Sequence, residues 1–411
     1  MAARGQREFF AVRTLDQALA GFRPSRRTGI ETVPLDEALG RIPAEPVLAP
    51  QPLPGFARAT VDGFAVRAAD TYGASEGLPS YLDLAGEARM GCPPEVELRP
   101  GTAVAIATGA PLPPGADAVL MVEHTQASLP DLIEVMRPVA PGDGMVRADE
   151  DAAPGAELAP AGRPLRSHDL GMLAAAGLTE VAVRARPRVT VVSTGDELVP
   201  AATAELEVGQ VRDSTAPALA ALVREAGGKP RHAGIVPDDP DALAATLREA
   251  LPESDVLLVS AGSSVGARDE TAAAIASLGE PGIWCHGLAF RPGKPTLLAD
   301  CGGVPVIGLP GNPRSALVVF RVVGAPIVRL VGGCTEPPPE PSVRARLDRD
   351  LPSAAGRLDV VQARVRDGAA TPLFGSSSLL SILTAADGYL VVPEPATGLA
   401  AGSAVEVTLY R

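Results

Sequence analysis

A chain of 411 residues is too long for one ordinary core, so two to four domains are expected. Its 46% hydrophobic and 21% charged content is that of a globular protein, with Gly and Pro abundant but scattered as turns. A net charge of -13 argues against sequence-independent nucleic-acid binding, which needs clustered Lys and Arg; small anions remain open to local backbone N–H groups.

The N-terminus, MAARGQREFF, has no apolar signal core, and no 18-residue apolar stretch follows anywhere, so a cytoplasmic protein away from membranes is expected. TLDQALAGF and PLDEALGRI read as two short helical patterns. From about 50 to 145 short apolar runs (VDGFAVRA, YLDLAGEA, TAVAIATGA, DAVLMVEHT, DLIEVMRPV) alternate with Pro/Gly turns, the mark of a β-rich module. VRADEDAAPGAEL reads as a hairpin or extended segment, and SHDLGMLAAAGL as a helix that can start at Ser167. From 186 to about 332 the rhythm becomes strand–loop–helix: RVTVVSTGDELV, KPRHAGIVPDDPDALAATLREAL, DVLLVSAGSSVGARDETAAAIASLG and VPVIGLPGNPRSALVVF. Continuous apolar strands alternating with Ala/Leu helices predict a parallel sheet covered on both faces. After a Pro-rich break, CTEPPPEPS, short strands return and predict a small C-terminal β module.

Four loops of the α/β region should meet at the carboxyl end of that sheet, where such folds bind ligands. They are Ser193–Leu198 (STGDEL), Pro237–Pro240 (PDDP), the SAGSSVGARDE stretch of residues 260–270 and Leu309–Ser315 (LPGNPRS). Their small residues, hydroxyls and acids suit a phosphate with a divalent cation. Plainer readings stand beside this one. Asp238, Asp239 and Asp241 sit where N-caps belong, and Asp269 lies just before a helix, so capping competes with catalysis at each. Asn312 and Pro313 can be a turn, and Lys294 in RPGKPT a solvated residue, although Arg291 and Lys294 bracketing PG also suit an anion. His286 and Cys285, flanking Trp284, fit a strand interior; the other histidines show no metal spacing, and the four cysteines no CxxC, so free thiols are expected. Upstream, turn-making explains the glycines of TVDGFAVRA and ATGAPLPPGADAV, but explains Asp62 less well.

In order, TVDGFAVRAAD, TGAPLPPGADAVLMVE, VVSTGDELV, PDDP, SAGSSVGARD, RPGKPT and LPGNPRSA resemble the blocks of the molybdopterin molybdenumtransferases, the molybdenum-insertion enzymes related to the C-terminal portion of gephyrin. GRLDVVQARV…ADGYLVVPE resembles their last domain. The resemblance implies an elongated α/β plus β chain: a linking domain from residues 8–50 and 146–184, a β-rich domain at 51–145, a doubly wound, adenylyltransferase-like α/β domain at 185–333 and a C-terminal β-barrel at 340–411. It implies a homodimer converting adenylated molybdopterin and molybdate into molybdenum cofactor and AMP with Mg²⁺, with the molybdopterin adenylyltransferase as a possible partner enzyme. Carried over by position, Glu197, Asp238 and Asp269 are the activity-linked acids and cation ligands, and Asp62 and Thr108 reach the site from the second subunit. Asp151 matches the acid of the linker motif; Lys294, Pro310 and Pro313 match positions tied to substrate or molybdate. Ser193, Thr194, Gly195, Gly262, Ser263, Ser264, Gly266, Gly311, Asn312 and Ser315 complete the expected substrate contacts.

Some positions depart from the family pattern. Ala261 and Asp149 stand where Gly is usual, Ser263 and Arg314 where Val is common, and DST at 213–215 replaces DTN or DSN. Alanine at a positive φ costs roughly 1–2 kcal/mol, so Ala261 implies an ordinary φ or a reshaped loop. Arg314 either adds a cation beside the molybdate region or points to solvent. Two rivals to molybdenum insertion are a non-catalytic scaffold on the same fold and the adenylyl-transfer step. The retained acids disfavour the first, and the extra β modules the second.

Overall fold

The apolar runs of the central region pair as a six-stranded sheet in the computed structural model, which describes residues 12–261 and 265–410. Its strands are β1 (Arg188–Thr194), β2 (Lys229–Val236), β3 (Val256–Ala261), β4 (Pro281–His286), β5 (Leu297–Cys301) and β6 (Val304–Pro310), in the spatial order β2-β1-β3-β6-β5-β4. Helices α1 (Thr215–Glu225), α2 (Pro240–Ala250), α3 (Val265–Ala276), α4 (Pro313–Val319) and α5 (Ala325–Val331) cover it, α4 and α5 being joined by one π-helical turn. Alternate side chains of each strand enter opposite cores. Val191, Leu258 and Ile307 pack with Leu219, Val223 and Val319 on one face. Val192, Leu257 and Val306 pack with Leu243, Leu247 and Ile275 on the other. This double coverage is why the strands read as unbroken apolar runs.

The rhythm of the sequence predicts a parallel sheet, and the observed one is mixed. β2, β1, β3 and β6 run parallel, whereas β6–β5 and β5–β4 are antiparallel. The cause is local: Gly302 and Gly303, at φ 63 and 88, form the two-residue turn that lets β5 fold directly onto β6.

The N-terminal half is threaded through two units. Six strands within residues 63–135 form one sheet with apolar clusters on both faces. Around it the chain pairs at long range: Ile30–Pro34 with Glu180–Arg184, Val47–Leu48 with Glu157–Ala159, and Arg58–Ala59 with Met145–Val146. VRADEDAAPGAEL is therefore not a self-contained hairpin. Its backbone bonds run to the earlier segment, with Asp151 and Ala152 N–H both donating to Leu53 O, at 2.9 and 3.0 Å. The helix at Ser167–Ala175 starts where expected, and Leu15–Gly21 is helical behind a Thr14/Gln17 capping box. PLDEALGRI gives only a 3-10 turn at Leu35–Glu37, cut short as Gly40 adopts φ 72.

At the C-terminus, Ser342–Leu347, Leu358–Arg366, Ala369–Pro372, Gly388–Val392 and Ala404–Leu409 close into a five-stranded barrel. Phe290–Arg291 of the α/β region pairs with Leu358–Asp359 of the barrel, so the two share backbone bonds.

Candidate functional site

The four parallel strands β2, β1, β3 and β6 bring their carboxyl ends side by side, and the predicted loops follow those ends in the chain. The first two are tied together: Gly195 N–H donates to Val236 O (3.1 Å), and Asp238 N–H to Asp196 Oδ1 (3.0 Å). Capping accounts for Asp239, whose Oδ1 accepts from Ala242 N–H at 2.7 Å. Asp238 is left exposed, and Glu197, also exposed, folds its carboxylate over Gly195. Neither carboxylate forms an ion pair among the described residues. Ser193 and Thr194 turn inward: Ser193 Oγ donates to Asp213 Oδ2 (2.6 Å) and Thr194 Oγ1 to Ser260 O (3.4 Å). Asp213 was overlooked as a site residue. Its other oxygen accepts from Thr215 and Ala216 N–H, both at 3.0 Å, so it caps α1 while holding the β1 loop. An acid two residues before a helix was the available signal.

Gly262, Ser263 and Ser264 lie outside the described residues. Gly266 and Asp269 fall within α3, not before it; Asp269 therefore cannot cap that helix, and its side chain is outside the description. Ala261 answers its own question: it is the last residue of β3, paired with Pro310, buried, and not at positive φ. Asp149 does take φ 61, which explains glycine at that position in the family pattern; Asp tolerates this region better than most residues.

The fourth loop opens onto a cavity of about 950 Å³ between the α/β region and the barrel. Lys294, Pro310, Gly311, Asn312 and Ser315 line it; Pro313 does not, serving as the first residue of α4. Arg291, Arg314 and the barrel's Arg357 also line it, and among the described residues no Asp or Glu does. An acidic protein thus keeps a locally cationic chamber. The Lys294 loop is braced by Thr296, whose N–H (3.1 Å) and Oγ1 (2.6 Å) both donate to Gly293 O.

Asp62 and Thr108 do meet, although 46 positions apart. Thr108 N–H (2.8 Å) and Oγ1 (3.0 Å) both donate to Asp62 Oδ1. Those bonds, the backbone one first, hold the exposed carboxyl below its ordinary range. In Thr108→Ala the N–H bond survives and the hydroxyl bond does not. The Asp62 pKa should then rise part of the way to the ordinary Asp value of about 3.9, read by carboxyl NMR titration; no movement would refute the hydroxyl's share. Within this one chain Asp62, Thr108 and Asp151 form no hydrogen bond or ion pair with the described residues of the sheet-end loops. Among the described residues, no three His, Cys, Asp or Glu side chains are grouped as around a metal ion, and no helix is long and apolar enough to cross a membrane. All four cysteines are free thiols.

Fold and site together define a class: a multidomain chain with a molybdopterin-binding type of α/β domain between a split N-terminal region and a C-terminal barrel. Residues 12–177 match the family described as "MoeA N-terminal region (domain I and II)", 190–330 the "Probable molybdopterin binding domain" and 344–410 the "MoeA C-terminal region (domain IV)". The chain is 36% identical over 383 residues to molybdopterin molybdenumtransferase 2 of Mycobacterium tuberculosis, spanning 92% of this chain and 94% of that one. It is 34% identical to the Bacillus subtilis molybdopterin molybdenumtransferase, over 93% and 90% of the two chains. The solved molybdopterin biosynthesis moeA protein of Pyrococcus horikoshii OT3 superimposes with a TM-score of 0.84 at 31% identity, over 97% of this chain and 100% of its own. The chain belongs to the molybdopterin molybdenumtransferase family, as its collinear blocks suggest. It is a transferase with a role in molybdenum cofactor biosynthesis.

Proposed function

We propose that this protein inserts molybdenum into molybdopterin, taking adenylated molybdopterin and molybdate to molybdenum cofactor and AMP. The observation that carries the reading is the adjacency of two chemistries at one sheet end. Unpaired acids stand on the β1 and β2 loops, and a chamber lined by cations, with no carboxylate among the described residues, opens beside the β6 loop. The adenylated pterin would lie along the sheet end, with its phosphates on loop N–H groups. Lys294, with Pro310, Gly311, Asn312 and Ser315 around it, would hold molybdate in the chamber.

Hard, exposed oxygens on adjacent loops fit Mg²⁺, so Glu197 and Asp238 are assigned as its ligands, with Asp269 as a third. When bound, that ion would offset charge on the phosphates. Asp62, kept ionised by Thr108, is assigned to the partner subunit's site in a homodimer, and Asp151 to the linker that supports it. The substrate implies an adenylyl-transferring enzyme upstream.

The test is incubation with adenylated molybdopterin, molybdate and Mg²⁺, measuring AMP. Asp269→Asn should cut AMP release at least about 100-fold with an unchanged unfolding midpoint. Retained turnover would remove Asp269 from the mechanism, and no AMP from the intact wild-type dimer would favour a scaffold.

A further inference from the structure

Behind the main chamber lies a second cavity of about 170 Å³, and Arg291 and Arg314 line both. Arg314 is held from two sides. It is the second residue of α4, and its N–H donates to Ser377 O of the barrel region at 3.2 Å. Its guanidinium forms no hydrogen bond or ion pair with a described residue, and its Nε is fully buried. Asp359, the one carboxylate among the described residues of the smaller cavity's wall, is already engaged: Arg357 Nε and Ser353 Oγ each donate to it at 2.9 Å, and Arg291 stands 3.7 Å away. Gln362, 1% exposed in the same wall, leaves Nε2 without an acceptor.

A half-buried guanidinium without a counter-charge, its Nε shut off from water, is costly, and a second guanidinium nearby makes it more so. Burial first, and Arg291 second, hold the Arg314 pKa below the usual arginine range. Arginine nevertheless stays charged at neutral pH. The unsatisfied groups here are all donors, and the surplus charge is positive. An anion from solution resolves both, and a planar guanidinium grips an oxyanion through paired N–H groups.

We propose that Arg314, with Arg291, binds a doubly charged tetrahedral oxyanion in the wall between the two cavities. Naming that anion as molybdate rests on the function proposed above; the binding itself does not.

Titration calorimetry of the full chain with sodium molybdate, and separately with sodium sulfate, tests this. Arg314→Met should weaken molybdate binding about tenfold to a hundredfold, and Arg314→Lys should recover part of the loss, since it restores charge without the fork. Sulfate should follow molybdate if shape and charge are what is read. Arg314→Met should melt no lower than wild type in anion-free buffer, because it removes an unpaired buried charge, and should lose the thermal stabilisation that molybdate confers. Molybdate binding within twofold of wild type in Arg314→Met would overturn the proposal. So would a variant already destabilised without anion, which would mark Arg314 as structural. If wild type binds oxyanion through Arg314 but releases no AMP, the site stands and the proposed reaction falls; the reverse pattern removes only the site.

Discussion

Replacing Gly293 by alanine should destabilise the α/β region by about 2–5 kcal/mol and, for the reaction proposed above, raise the KM for molybdate. Gly293 sits at φ 128, where an L side chain is strained. A Cβ there would stand 2.2 Å from Val319 Cγ2 and 3.1 Å from Phe290 Cδ1. Both neighbours are almost wholly buried, at 0% and 2% exposure, so neither can swing aside into solvent. The strained backbone contributes roughly 1–2 kcal/mol and overpacking a tight core roughly 1–3 kcal/mol more. The functional cost has its own path. Gly293 O receives both Thr296 donors, and the next residue's carbonyl, Lys294 O, accepts Leu288 N–H at 2.9 Å. Shifting Gly293 therefore displaces the ammonium of Lys294 and the guanidinium of Arg291 from the chamber they line. The chain's single tryptophan, Trp284, lies in β4 of the same sheet, so its fluorescence follows denaturant unfolding of this region. A midpoint equal to wild type would show that the loop absorbs the methyl group and that the steric argument fails.

What could be read before the fold was known followed local rules. The parallel strands were legible because a doubly covered sheet buries both faces of each strand, as Val191 and Val192 do. The four loops were legible because ligands collect where parallel strands end. The antiparallel β5–β6 hairpin rests on Gly302-Gly303, a local turn signal that went unread beneath the α/β rhythm. Other features needed contacts between distant segments. Nothing near Ile30 announces its pairing with Arg184, and nothing near Asp62 announces Thr108. The cationic chamber is a similar case. Lys294 and Arg291 stand out in RPGKPT, but Arg357 comes from the barrel, and whether Arg314 faced solvent was open until the barrel loop was seen against it. Ala261 and Asp149 show the limit from the other side. The same substitution of a family glycine means an ordinary strand end at one position and a left-handed turn at the other, and only the backbone angle separates them.

Asp255→Ala should cost about 2–3 kcal/mol at neutral pH. Asp255 directly precedes β3 and is buried at the amino end of the sheet. Its Oδ1 accepts from Arg26 Nη2 at 2.8 Å, and its Oδ2 from Arg188 N–H at 2.9 Å and Arg188 Nε at 3.2 Å. One carboxylate thus joins the start of β1 to the segment leading into the N-terminal units. Both arginine side chains are partly exposed, at 37% and 45%, so water recovers some of their loss; the figure stays below the 3–5 kcal/mol typical of fully buried pairs. Burial pushes the Asp255 pKa up, but the bonds from Arg188 and Arg26 outweigh it and hold the carboxyl below its ordinary range. A lowered folded-state pKa fixes the sign. The stabilisation is complete above the unfolded carboxyl value of about 3.9 and is lost as pH falls through the folded value. Denaturant unfolding of wild type and Asp255→Ala should therefore differ fully at pH 7, narrow as the pH falls below the ordinary carboxyl value of about 3.9, and converge only below the lowered folded-state value. A gap that persists undiminished into that range would mean that the lost contribution is packing and not charge. Asp255→Asn, which keeps an acceptor without the charge, should fall between wild type and alanine at pH 7 for the same reason.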